Sequence, residues 1–502
     1  MYKVGVDVGG TFTDVLLVDM ENSKFYTSKV PSTPEDSSQG VLNGIIKACQ
    51  LAGAELGEIE AVTHGTTVAT NAILTGSGAK VGLIATKGYG QVLQIARSYV
   101  PGGLGGWLYY QKTAPLAPLD CSIEVDERMG ADGSVVRELN ESQLRQALTS
   151  FDGKGIEAIT ICLINSFTND QHEQRVRDIV AEVMPDIPTS ISSEVIPELQ
   201  EYERTVTTVA NSYVRPEVSK YISNLQTEFD KRMNGASLSI LRSDGGLATA
   251  TSAMDFPVYM LMSGPAGGVS GAIWVGEQAG INNIITFDMG GTSTDVALIE
   301  NGQALVRRDT TVGDVTVRAS ALDVRSIGAG GGSIAHVPEL TRALRVGPES
   351  AGAEPGPAAY NKGGEEPTVT DANVVLGYLP QQQKLGGDMD IRKDLAEQAV
   401  QKVADALGLG LHEAAEGIVK IVNEKMFGAV RLVSVEKGYD PRNFSLMAFG
   451  GAGPLHANAL GALTQSWPVI IPPGPGILCA YGDATTRLRN EASKSIIVNM
   501  SN

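Results

Sequence analysis

One acidic, glycine-rich phrase occurs twice in this chain. VDVGGTFTDVLL at residues 6–17 returns as FDMGGTSTDVAL at residues 287–298, identical at eight of twelve positions. A repeat at that distance suggests two copies of one structural unit facing each other. Each copy reads as a strand ending in a carboxylate, a Gly-Gly turn, hydroxyls and a second strand. Gly9, Gly10, Gly290 and Gly291 allow backbone dihedrals that a side chain would forbid, so their N–H groups can form an anion-binding nest. Thr11, Thr13, Thr292 and Thr294 add hydroxyl donors. Asp7 and Asp288 would repel a phosphate directly. They make sense as ligands of a Mg²⁺ ion that neutralises phosphates, or as groups orienting an attacking atom. A pair of ordinary glycine-turn hairpins is the bland alternative, and the matched order of two copies argues against it. The Gly-x-x-x-x-Gly-Lys-Ser/Thr pattern of P-loops does not occur.

Other residues suit the same chemistry less specifically. His64 sits at a turn before a threonine-rich helix start, in HGTTVATN at residues 64–71. It suits a substrate contact or proton donor, and equally a hydrogen-bonded turn histidine. Asp14 and Asp295 either point into the site or cap their turns. The loop IGAGGGS, residues 327–333, reads as a second anion nest or as a tight turn between strands. SGPAGG at 263–268 opens a helix, where the dipole favours anions and glycines also permit close packing. Arg97 and Arg242 are candidate carboxylate binders with no spacing argument behind them, and His456 reads as a packing residue.

The elements that must position these groups alternate between strand and helix. Strands are predicted at 3–8, 14–18, 58–63, 80–86, 157–163, 238–242, 283–289, 295–299 and 446–449. Helices are predicted at 34–52, 169–183 and 266–279, with one long helix or two over 203–233, interrupted near Pro216. Residues 391–438 read as helical, with Gly438 as the C-terminal cap. Residues 99–119 read as a long exposed excursion, and 327–364 as a Gly/Pro-rich region. This alternation predicts sheets covered by helices on both faces.

Composition bounds the rest. With 502 residues the chain is too long for one compact core, so two or more lobes are expected. A net charge of −18 argues against nucleic acid and anionic membranes as partners. The four cysteines are widely spaced, which disfavours disulfides and zinc and suits a reducing, cytoplasmic setting. The first strand begins at Lys3, leaving no room for a signal peptide, and no apolar run reaches membrane-spanning length.

At this point the motifs resemble a known superfamily. The two hairpins are similar to the phosphate-1 and phosphate-2 elements of the actin, sugar-kinase and heat-shock-chaperone ATPases, and FGGAGP at 449–454 is similar to their adenosine element. The resemblance implies an α/β fold of two actin-like (ribonuclease H-like) lobes with ATP in the cleft between them. Residues 64–71, 263–268, 327–333, 347–357 and 367–373 narrow the likeness to the hydantoinase A/5-oxoprolinase family, over Lys3 to about Gly482. A first lobe is expected over 1–195 and a second over 196–482. A short tail at 483–502 stands where similar subunits continue into a further region.

The resemblance implies an ATP-binding subunit of a cyclic-amide hydrolase, working with a B-type partner subunit and activating a lactam carbonyl by phosphorylation. It implies that Asp7 and Asp288 organise Mg²⁺, that Gly10, Thr11, Gly291 and Thr292 hold phosphates, and that Gly450, Gly451 and Gly453 face the adenosine. Two alternatives stay open. One is the corresponding subunit of an ATP-dependent ketone carboxylase, whose small-molecule substrate is a ketone. The other is an ATP-gated chaperone or activase, although no cysteine pair suited to an activase cluster is present.

Overall fold

The computed structural model of the protein describes residues 1–9, 12–22, 24–31, 33, 37–97, 112–382, 389–486 and 493–497. The chain forms two compact units, and neither is contiguous in sequence. The first gathers residues 1–65, 264–306 and 322–486, and the second is built on 66–263 and 307–321. A boundary at 195/196 therefore falls inside the second unit.

Two sheets organise the first unit. Strands β1 (Tyr2–Val8), β2 (Phe12–Asp19) and β3 (Lys24–Pro31) are antiparallel in succession. After helix α1 (Ser37–Ala52), β4 (Ile59–Gly65) joins β1 in parallel, giving the order β4-β1-β2-β3. Helix α2 (Ser263–Ala279) then leads to the second hairpin, β5 (Ile284–Met289) and β6 (Thr294–Glu300). On its outer edge β6 takes the short strands β7 (Gln303–Ala304) and β8 (Arg325–Ile327). A further hairpin, β9 (Ser333–His336) with β10 (Arg345–Ser350), lies in the stretch predicted as Gly/Pro-rich.

Three helices follow, α3 (Val369–Val375), α4 (Lys393–Leu407) and α5 (Leu411–Val433). Then come β11 (Ser445–Phe449), parallel to β5, helix α6 (Gly453–Thr464), β12 (Val469–Ile470) and helix α7 (Leu478–Thr485). The helical run predicted over 391–438 is thus two helices. Gly408, at φ +67°, ends α4 in the left-handed conformation that glycine adopts without steric cost. Gly438, at φ +84°, caps a short 3₁₀ turn at Val435–Lys437 rather than the helix, which ends at Val433 with Ser434 as its cap.

Apolar periodicity explains how the second hairpin is held. Phe287, Met289, Val296 and Leu298 are buried in one cluster with Ile418, Val422, Met426 and Val430 of α5. These α5 residues recur every four positions, which is the core face of an amphipathic helix. Each such side chain contributes about 2 kcal/mol when buried. Helix α7 closes on β1 and α2 only because glycines stand there. A Cβ on Gly5 would lie 2.1 Å from the Ala480 carbonyl oxygen, and one on Gly482 would lie 1.8 Å from that of Gly267.

The second unit has a parallel sheet of Thr189–Ile191, Ala158–Cys162, Val81–Thr86 and Ser122–Val125, in that order. Leu144 and Leu148 of one helix and Val176, Ile179 and Val180 of another pack into its core. The long helix, Glu201–Arg232, runs unbroken through Pro216. An internal proline costs a helix ~3 kcal/mol. Here Val209 and Val214 are buried before it and Val218, Ile222 and Leu225 after it, so packing outweighs that cost. Most of the predicted excursion at 99–119 lies outside the described residues. Among the described residues, no helix is long and apolar enough to cross a membrane.

Candidate functional site

The sequence repeat is a structural repeat. Asp7 faces Asp14 across the first hairpin, and Asp288 faces Asp295 across the second, in the same register. The Gly9 amide donates to the Phe12 carbonyl at 3.0 Å, and the Gly290 amide donates to that of Ser293 at 3.0 Å. Gly10 and Thr11 lie outside the described residues. Neither Gly9, Gly290 nor Gly291 has a positive φ, so dihedral freedom does not explain these glycines. Bare backbone does. Nothing lies within 4 Å of where a Gly291 Cβ would stand, and Gly291 and Thr292 are both exposed. That surface suits an anion's oxygens. Thr13 and Thr294 are buried instead, and the Thr294 hydroxyl donates to the Ala329 carbonyl at 2.5 Å.

Like charges facing each other across a strand pair are unfavourable, and the two hairpins offset this differently. Lys29, opposite Asp14 on β3, pairs with it at 2.7 Å. Asp295 has instead the Ser326 hydroxyl, donated from β8. Burial is the leading cause that raises the pKa of all four carboxyls. For Asp7 the Asp14 charge adds to it, against Lys29 and a hydrogen bond from Cys479. Asp288 is pushed up to about 7, with Asp295 and Asp7 adding to burial. Asp14 and Asp295 are also raised. Asp7 and Asp288 keep some solvent access, yet the protein crowding their carboxyl groups makes charging costly.

Two further loops are brought to the second hairpin. Gly331 and Gly332 donate their amides to the carbonyls of Gly290 and Gly291, at 3.0 and 2.6 Å. The Gly330 amide is taken by the Ser333 hydroxyl, and that of Ser333 by the Gly330 carbonyl. With these donors spent, residues 328–333 are a brace on the turn rather than an anion nest. A Cβ on Gly330 would lie 2.6 Å from the Gly291 backbone. Gly450 adopts φ +81°, and a Cβ there would lie 2.3 Å from Asp288 Oδ1. Ala452 donates its amide to the Met289 carbonyl at 2.9 Å, which aligns Gly453 to begin α6. Gly451 is exposed and Gly453 buried.

His64 lies on β4 beside Val6, fully buried, with Nδ1 3.1 Å from the Val6 carbonyl oxygen. Burial pushes its pKa down to about 4, so the ring is neutral at neutral pH. His456 is fully buried against Asn423 and Asn373. The other residues weighed in the sequence are committed elsewhere. Arg97 forks onto Glu203 and Arg242 onto Asp244, both in the second unit. Gly268 and Gly271 of α2 face Phe449 and Leu478 closely, which is the packing role weighed for that glycine run.

Sequence reasoning missed α7. Cys479 lies against both principal carboxylates, with its Sγ 3.6 Å from Asp288 Oδ2. Asp483 accepts the Gly65 amide at 3.2 Å, and burial together with the charge of Asp7 pushes its own pKa well up. Their i, i+4 spacing was visible in the sequence as two polar positions on one face of an apolar run. The boundary expected at 482/483 instead cuts through this helix.

Among the described residues, no three His, Cys, Asp or Glu side chains converge to ligate one metal directly. Mg²⁺ commonly keeps several waters and uses only one or two carboxylates. Asp7 and Asp288 could hold such a hydrated cation, and the exposed backbone at Gly291 and Thr292 could hold anionic oxygens beside it.

A family model described as "Hydantoinase/oxoprolinase N-terminal region" matches residues 3–184, and one described as "Hydantoinase/oxoprolinase" matches residues 204–492. The chain is 37% identical to caprolactamase subunit alpha of Pseudomonas jessenii, over 97% of this chain and 70% of that protein. It is 35% identical to the acetophenone carboxylase gamma subunit of Aromatoleum aromaticum, over 96% of this chain and 67% of that protein. The crystal structure of the ATP-dependent caprolactamase from Pseudomonas jessenii superposes with a TM-score of 0.83 at 36% identity, over 96% of this chain and 70% of that one.

Proposed function

The chain belongs to the hydantoinase/oxoprolinase family, and on that premise we propose that it is the ATP-binding subunit of a cyclic-amide hydrolase. The observation that carries the reading is the duplicated hairpin, with its paired carboxylates and bare glycine backbone, in a chain closely similar to a caprolactamase subunit. The residues present fit a nucleotide with a divalent cation. Asp7 and Asp288 are two partly dehydrated carboxylates with excess negative charge around them, and no lysine or arginine lowers the pKa of Asp288. Gly291 leaves open backbone that a ligand can enter, and Gly450 lets Asp288 lie directly against the backbone of the adenosine-type turn.

When bound, Mg-ATP would supply a phosphoryl group to the amide oxygen, making the carbonyl carbon electrophilic enough for water to add and the C–N bond to break. The chain's own residues position and neutralise. Asp7 and Asp288 hold the cation's waters. Gly9 to Thr11 and Gly290 to Thr292 hold phosphate oxygens, with Thr13 and Thr294 fixing the turns from beneath. Gly450, Gly451 and Gly453 receive the nucleoside. His64 is neutral and bonded to the backbone of β1, so it positions the strand that carries Asp7. A partner subunit completes the lactam site, in keeping with the subunit names of the relatives.

The carboxylase reading rests on the acetophenone carboxylase relative, whose identity to this chain is nearly as high. Turnover separates the two. The chain with its copurifying partner is assayed for ATP consumption with caprolactam, 5-oxoproline and hydantoins, and with acetone or acetophenone plus bicarbonate. A ring-opened acid formed without bicarbonate supports the hydrolase. Turnover only with ketone and bicarbonate transfers the assignment to the carboxylase.

A further inference from the structure

Helix α7 brings two polar side chains to the acidic centre from outside both hairpins. Cys479 and Asp483 are four residues apart and so lie on one helical face. That face is turned to the carboxylates, since Cys479 contacts Asp288 and Asp7, and Asp483 stands beside Asp7. The placement is rigid. Gly5, in the middle of β1, admits the Ala480 carbonyl, and Gly482 admits the Gly267 carbonyl, so α7 cannot withdraw without opening both contacts.

Asp483 is only 1% exposed, yet half of its carboxylate has no partner. Oδ2 accepts the amide of Gly65, the residue opposite Asp7 on β4. Oδ1 is buried and accepts nothing. A dehydrated carboxylate oxygen left unsatisfied is destabilising. It also stands beside Asp7, where repulsion adds to that cost. A residue serving the fold alone would gain from being asparagine, which keeps the bond to Gly65 and removes the charge. The arrangement makes sense when something from outside the protein offers Oδ1 a proton or positive charge.

Resting on the cation reading above, we infer that Asp483 is a third carboxylate of the cation site, positioning it through a metal-bound water held at Oδ1. An outer-sphere role agrees with the lack of three side chains converging on one direct ligation point among the described residues. Cys479 acts beside it, as a neutral thiol that donates to Asp288 Oδ2 and fixes that carboxylate's orientation.

The test is Mn²⁺ binding to the full chain with ADP, followed by electron paramagnetic resonance, for wild type, Asp483→Asn and Asp483→Ser. Outer-shell partners of metal ligands are typically worth 10–100-fold in affinity. A roughly tenfold or greater loss of Mn²⁺ affinity in Asp483→Asn is expected, with a thermal midpoint equal to or above that of wild type. Unchanged Mn²⁺ affinity in a folded variant would overturn the inference. So would failure of both variants to fold, because Asp483 would then hold the fold and not the cation. If wild type itself binds no Mn²⁺ with ADP, the nucleotide reading falls first and this inference falls with it.

Discussion

Asp7 and Asp288 are near-copies in backbone and differ in company. Lys29 restrains the first pair, while the second has neutral donors, the Ser326 hydroxyl and the Cys479 thiol. Replacing either aspartate by asparagine keeps its shape and removes the charge that a divalent cation needs. Asp288→Asn and Asp7→Asn should each lower Mg²⁺-dependent ATP turnover by 100-fold or more while leaving the circular dichroism spectrum unchanged. Wild-type turnover in either variant would remove the cation assignment. His456 gives a pH prediction outside the site. Burial lowers its pKa to about 4, against 6.5 for a free imidazole. Between those values the unfolded chain binds the proton and the folded chain does not, so stability falls as pH drops from about 6.5 to 4. The loss is roughly 3 kcal/mol for a shift of that size. Urea unfolding at pH 7.5 and 4.5 should show a smaller difference for His456→Gln than for wild type.

At the scale of elements, close backbone approach governs the geometry. A methyl group on Gly482 would enter the Gly267 carbonyl, so α7 and α2 would have to separate. Gly482→Ala should cost about 1–3 kcal/mol in unfolding experiments, and it should weaken nucleotide binding too, because α7 carries Cys479 and Asp483. Helix α3 offers a contrasting case away from the acidic centre. Thr368 caps it and Asp371 reaches back to the Thr368 amide, a reciprocal capping box. Thr368→Ala should cost about 1 kcal/mol. Thr370, two residues on, donates both its amide and its hydroxyl to Gly331, so α3 also anchors the brace on the second hairpin.

Across the whole molecule, the order of the chain and the order of the fold diverge. The first unit takes β1 to β4 from residues 1–65 and almost everything else from beyond residue 263. A fragment ending at 195 holds only part of each unit, and should show neither cooperative unfolding nor dispersed amide resonances when expressed alone. This is also where the sequence was least legible. Local signals were strong for the hairpins, whose strands, turns and repeated register follow from alternation and glycine placement. They were strong for the longer helices as well. What stayed hidden was non-local. The role of Gly331 as a donor to Gly290, and of Asp483 as a neighbour of Asp7, depends on segments 41 and 476 residues apart meeting. No periodicity encodes such meetings. The Pro216 interruption was misjudged for a related reason, since the packing that overrides proline comes from distant strands.

The lateness of α7 has a consequence for how the protein is made. Strand β1 is complete at residue 8, but the helix that covers it begins at residue 478. At ~5–20 residues per second of synthesis, that face of the first sheet waits roughly 25 to 90 seconds for its cover. Throughout that interval Leu16, which pairs with Gly5 and is wholly buried in the finished protein, belongs to a half-built surface. The nascent chain is then a natural client for chaperones that shield apolar strands, and slowing translation lengthens the exposure.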